Sequence, residues 1–120
     1  EWERDHDLVV MRYAEVLLMQ AECYVRLNQP EKARPFLEQI RSRAGITGTP
    51  ETITLQTIED ELKKEFVFED HRRTDMIRFG TFFTGTWWEK NEITPAYKGI
   101  FPIPALEMQK NNKLQQNPGY

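Results

Sequence analysis

Residues 57–80 read TIEDELKKEFVFEDHRRTDMIRFG, and no Pro or Gly occurs before Gly80. The spacing predicts one helix over Thr57–Gly80. Thr57 is a good N-cap, Asp60 sits three residues on as a capping-box partner should, and Gly80 suits a C-terminal stop. At 100° per residue, Ile58, Leu62, Phe66 and Met76 share one stripe. Glu65, Glu69 and Arg72 fall on that stripe too. Charges on a core-facing stripe survive burial when they are paired and hydrogen-bonded. The favoured expectation is a structural ion network tying this helix to its neighbours. A catalytic carboxylate pair, Glu65 with Glu69, is the sharper alternative.

Working outward, residues 8–27 predict a second helix. Val9, Val10, Tyr13, Ala14, Val16, Leu17, Leu18, Ala21, Tyr24 and Val25 cover more than half its circumference. That width implies packing against two neighbours. Arg12, Glu15, Glu22 and Arg26 share the remaining face. They read either as a solvated row of i,i+3 and i,i+4 pairs or as partners for the Glu65/Glu69/Arg72 row. Asn28-Gln29-Pro30 is a turn, and Ala33, Phe36, Leu37, Ile40 and Ala44 mark the next helix, which ends at Gly45. Pro35 should disturb its first turns. Arg41 and Arg43 are cations suited to its C-terminus. From Met11 to Ala44 the helix–turn–helix matches the 34-residue tetratricopeptide period, and one such unit needs helical neighbours.

Residues 46–56 predict a connecting loop. After Gly80 the chain becomes aromatic and irregular, with Phe82, Phe83, Trp87, Trp88 and Tyr97 followed by Pro102-Ile103-Pro104. The two prolines exclude a central strand, and residues 105–110 fit a short helix. Exposed aromatics beside loops can stack on the apolar C–H face of a sugar ring. Trp87, Trp88 and Tyr97 are therefore candidate ligand-binding residues, although Trp87 and Trp88 are expected first as cover for the helical core. The fold class read from the whole is all-α: a tetratricopeptide-like helix pair plus a long helix, with an irregular aromatic and Pro-rich C-terminal region.

Composition excludes several functions. The net charge is −3 with 29% charged residues, which gives no basic field for nucleic acid. Cys23 is the sole cysteine, so there is no internal disulfide and no Cys-based zinc site, and Cys23 reads as a small packing residue on a helix. Asp5, His6 and Asp7 read as a solvated lead-in rather than a metal site. Phe68, not Glu, lies three residues before His71, so the Glu-x-x-His di-metal signature is missing. There is no nucleophile elbow, P-loop, dinucleotide fingerprint or H-E-x-x-H. No cofactor, metal or catalytic residue is expected, and the chain reads as a non-enzyme. The length fits a single domain over 1–120, and the absence of an initiator Met, signal peptide and lipid-attachment site suggests a fragment or a processed product. Its broad apolar helix predicts self-association once partners are removed.

Several motifs occur in order. Arg12-Tyr13-Ala14-Glu15-Val16-Leu17-Leu18 with Ala21-Glu22 resembles the R-Y-A-E-x-L-L helix of the SusD/RagB family. Ile40-Arg41-Ser42-Arg43-Ala44-Gly45 is similar to its I-R-x-R-A-G. Glu65-Phe66-Val67-Phe68-Glu69 with Arg72, Asp75 and Arg78 is similar to its E-F-x-F-E-x-x-R-x-x-D-x-x-R. Pro102-Ile103-Pro104 resembles its P-I-P element, and residues 116–120, QNPGY, its terminal motif. Asp70 departs from the usual Gly, Phe79 from Trp, and Glu38 from Asn. The resemblance implies a C-terminal region of a Bacteroidetes outer-membrane nutrient-binding lipoprotein. Such a protein captures glycans or peptides, as in starch utilization, and covers a SusC-like TonB-dependent transporter at the outer surface. Any membrane contact would come through a lipid anchor upstream, and the ligand would be an oligosaccharide bound by the full-length protein. The shared motifs imply scaffold, so Arg12, Glu15, Glu22, Glu65, Glu69, Arg72, Asp75 and Arg78 are expected as a structural ion network. Without the resemblance, the 34-residue helix pair alone supports a stand-alone helical adapter for protein–protein contact.

Overall fold

The computed structural model describes residues 9–120, in two compact units that divide between Asp75 and Met76. The described residues contain helices and no strand beyond one isolated bridge, so the fold is all-α. In the first unit, α1 spans Tyr13–Arg26. A 3-10 turn, Pro30–Ala33, leads into α2, Arg34–Arg43. Then α3 spans Leu55–Glu65, and α4, Arg72–Phe79, crosses the boundary between the units.

The helix predicted over 57–80 is two helices. It starts earlier, at a capping box in which Thr54 Oγ1 accepts from the Thr57 amide (3.2 Å) and Thr57 Oγ1 accepts from the Thr54 amide (3.1 Å). Thr57 is thus the third residue of the helix and not its cap. The helix breaks after Glu65, where Phe68 (φ 64°) and Asp70 (φ 60°) both take the left-handed conformation. Neither is glycine; the placement costs the bulky Phe68 about 1–2 kcal/mol and the short, polar Asp70 less. No local breaker announces this bend.

The second predicted helix also starts late. Val9, Val10 and Met11 are exposed and non-helical, and Arg12 is an extended N-cap (φ −139°, ψ 161°). At its C-terminus, Asn28 (φ 57°) donates to Val25 O and Gln29 to Tyr24 O, a Schellman ending with Asn in the left-handed position. Helix α2 ends the same way at Gly45 (φ 74°), with Ile46 donating to Arg41 O. Pro35 causes no break, because the 3-10 turn precedes α2 and Pro35 falls in its first turn, where no amide donor is needed.

Helix α1 packs on the 3-10 turn, α2 and α3. The core between them is Leu17, Leu18, Ala21, Ala33, Leu37, Ile40, Ile58 and Leu62. Arg34 anchors the following loop by donating to Thr49 Oγ1 (2.7 Å), Pro50 O (3.1 Å) and Glu51 O (2.9 Å). Just beyond these contacts, Ile53 is buried. In the second unit, α5 is Thr81–Thr84, a 3-10 turn spans Ala96–Gly99, and α6 is Ala105–Lys110.

Candidate functional site

Two places in the chain gather functional groups. The first is built around α3, whose Glu59 and Glu61 are buried, and the other helices answer with arginines. Arg12 forks onto Glu69, with Nε to Oε2 and Nη2 to Oε1 both at 2.8 Å. It also donates to Glu65, through Nη1 to the carboxylate and Nη2 to the backbone carbonyl. Its guanidinium lies 4.4 Å from the centroid of Phe66, a favourable cation–π placement. Arg43 donates to both oxygens of Glu65 at 2.7 Å. Arg41 reaches Glu61 at 2.6 Å and Arg72 reaches Glu59 at 3.0 Å.

The structure brings several of the expected network residues into ion pairs. Arg12, Glu65 and Glu69 meet. Glu22 pairs within its own helix with Arg26 (2.7 Å), and Arg72 pairs with Glu59 instead of the Glu65/Glu69 row. Glu15 faces His71, with Oε1 3.9 Å from Nδ1, while Glu15 Oε2 is buried without a hydrogen-bond partner among the described residues. Asp75 is buried, and Arg78 lies 4.7 Å over the Phe79 ring. Sequence reasoning missed Glu59 and Glu61 as buried acids, and it placed Arg41 and Arg43 at a helix C-terminus without seeing their partners on α3.

The chemistry of this cluster is that of a clamp. The hydrogen bond from Arg12 holds the Glu69 carboxyl below its usual range, and the same contact raises the Arg12 guanidinium above its own. A glycosidase-type pair needs one carboxyl raised so that it can deliver a proton. Glu69 is shifted the other way, and Glu65 is engaged by two arginines. Among the described residues, no three His, Cys, Asp or Glu side chains gather to hold a metal ion, and no helix is long and apolar enough to cross a membrane. Asp5, His6 and Asp7 lie outside the described residues.

The second place is the aromatic stretch of residues 82–101. Trp87 and Lys90 form an antiparallel bridge with backbone hydrogen bonds of 3.0 and 2.8 Å, leaving Trp88 and Glu89 at the tip of a tight turn. Trp88 is 91% exposed and Trp87 49%, so neither covers a core as expected. Lys90 Nζ donates to Gly85 O and sits 4.7 Å from the Trp87 ring centroid. Tyr97 is half-buried and meets Tyr120 edge-on at 5.1 Å. Gly119 (φ 97°) lies so close that a Cβ there would come within 2.5 Å of the Tyr97 ring. Trp87 is thus tied to Lys90, and Tyr97 to the chain end. Cys23, expected as a packing residue, is helical but exposed.

A helical scaffold braced by arginine–glutamate pairs, carrying an aromatic loop region, defines the class. The chain belongs to the SusD family, whose model matches residues 1–120. It is 33% identical over 123 residues to the starch-binding protein SusD of Bacteroides thetaiotaomicron, covering 97% of this chain and 22% of that protein. It is 34% identical to SusD-like protein P25 of Formosa agariphila, covering 93% of this chain and 24% of that one. Among solved structures it resembles surface glycan-binding protein A from Bacteroides thetaiotaomicron, with a TM-score of 0.79 and 31% identity over 92% of this chain and 24% of that one. A SusD-like protein from Bacteroides fragilis gives a TM-score of 0.75 at 26% identity, over 94% of this chain and 26% of that one. The chain spans about a quarter of the length of the curated relatives it matches.

Proposed function

We propose that this chain is the C-terminal portion of a non-catalytic glycan-binding protein that serves a SusC-like TonB-dependent transporter at the outer surface of an outer membrane. The observation that carries the reading is the family match over residues 1–120, together with relatives named for starch and surface-glycan binding. The arginine-clamped carboxylates support a scaffold role for α3 rather than acid–base chemistry. In this reading Arg12, Glu65 and Glu69, joined by Arg43, brace the helices while the sugar is bound elsewhere.

Of the three aromatic candidates, Trp88 offers the freest ring for a pyranose face. One aromatic contact of this kind is worth about 0.5–1.5 kcal/mol, roughly 2- to 12-fold in affinity. The test is calorimetric titration of the full-length protein with an oligosaccharide panel that includes malto-oligosaccharides. Binding of one member, weakened several-fold by Trp88→Ala, is the expected result. Binding unchanged by that substitution removes Trp88 from the site. No binding to any glycan overturns the glycan reading.

A further inference from the structure

Residues 81–95 carry one cation, Lys90, and two carboxylates, Glu89 and Glu92. The cation is already committed. Lys90 Nζ donates to Gly85 O and lies over the Trp87 ring, so its charge is drawn back onto the loop and one face of Trp87 is taken. Trp88 and Glu89 are the two residues between the bridged Trp87 and Lys90, and both are exposed. No described residue pairs with the Glu89 carboxylate, and Glu92 is exposed a few residues on. The open ring at the tip of this turn therefore stands beside an open negative charge. Their anchors are about 3.8 Å apart at Cα, which keeps ring and carboxylate within reach of one disaccharide.

We propose that Glu89 sets the glycan class at the Trp88 tip, admitting neutral, hydroxyl-rich pyranoses and disfavouring those that carry carboxylate or sulfate groups. The proposal rests on the glycan reading above, with Trp88 as its ring. A carboxylate only accepts hydrogen bonds, and the hydroxyls of a pyranose stacked on Trp88 can donate them as charge-assisted bonds. A uronate or sulfate ester in the same place sets acceptor against acceptor and like charge against like charge. Two unit charges about 6 Å apart in water repel enough to change affinity roughly three-fold. Salt weakens that repulsion, since the screening length falls to about 3 Å at 1 M.

The experiment is calorimetric titration of the full-length protein and of its Glu89→Gln and Glu107→Gln variants. The probes are maltohexaose, cellohexaose and mannohexaose, each beside the same sugar with its primary hydroxyls oxidised to carboxylates. The expected result is a neutral probe that binds more tightly than its oxidised partner. Glu89→Gln should narrow that gap about three-fold or more at low salt, and by much less at about 1 M salt. Glu107→Gln removes the same charge from the Lys110 pair on α6 and should leave the gap in place. A gap that Glu89→Gln does not narrow, or that both variants narrow equally, overturns the proposal and leaves the glycan reading standing. An oxidised probe that the unsubstituted protein prefers does the same. Binding of none of these probes also overturns the proposal, while the wider oligosaccharide panel decides the glycan reading separately.

Discussion

Leu18, Leu37 and Ile58 in the first unit are fully buried, and charged groups there are paired at the edge of that core. In the second unit no residue beyond Met76 is buried. Order there comes from side chains that hydrogen-bond the backbone. Gln116 donates to Ile103 O (2.9 Å) and accepts from the Ile103 amide (2.8 Å), so a side-chain amide does the work of a neighbouring strand. Asn117 Nδ2 donates to Phe101 O and Tyr120 Oη to Ile100 O, both at 2.8 Å. The terminal QNPGY stretch is thus a polar clip on the residues around Pro102 and Pro104, which lack amide donors of their own. Helical periodicity builds the first unit, and specific side-chain chemistry holds the second.

Substitutions can break that contrast. Leu37→Ala should have the largest effect, about 2–5 kcal/mol of stability, seen as a lowered denaturation midpoint. A change under about 1 kcal/mol would mean that the helical core is not the main source of stability.

Arg12→Met should come next, at about 1.5–3 kcal/mol, because it removes a charged donor from Glu65. It should also flatten the acid limb of the pH–stability curve. Glu69 has a folded value below its unfolded one, so the folded state binds fewer protons between them. Its contribution is complete above the ordinary glutamate range and is lost as pH falls through the depressed folded value. An unchanged acid limb in Arg12→Met would show that this clamp carries no linkage. Arg12→Lys should recover only part of the loss, since an ammonium cannot fork onto a carboxylate.

Gln116→Ala strands a backbone pair and should cost about 1 kcal/mol, with faster hydrogen exchange confined to residues near Ile103. Exchange that rises equally in α1–α3 would dissolve the distinction between the units. The smallest effect is a gain. Asp70→Gly places a residue without Cβ at φ 60° and should stabilise by some tenths to about 1 kcal/mol. Destabilisation would mean that the Asp70 side chain contributes something beyond its backbone conformation.

The core face of each long helix was legible in the pattern, because a 3.6-residue repeat of apolar side chains has few other uses. Ile58, Leu62, Phe66 and Met76, read as one stripe, are all buried. Legibility failed at Phe68 and Asp70. A bend made by two non-glycine residues in left-handed conformation leaves no mark in propensity. It also failed for Trp87 and Trp88, since aromatic content alone does not say which rings are covered.

By itself, then, the sequence determined the helical class, the apolar faces, the ends of α1 and α2 at Asn28 and Gly45, and the ordered motifs that mark the family. Only the tertiary structure decided which arginine serves which glutamate. The Arg12 fork joins groups 53 and 57 residues apart, and spacing along one helix carries no information about such a partner. It also decided that the stretch from Thr57 to Gly80 breaks. Phe66 lies against both Arg12 and His71, with its ring centroid 4.5 Å from the imidazole. These long-range contacts with Arg12 offset a local backbone cost that the isolated segment would have no reason to bear.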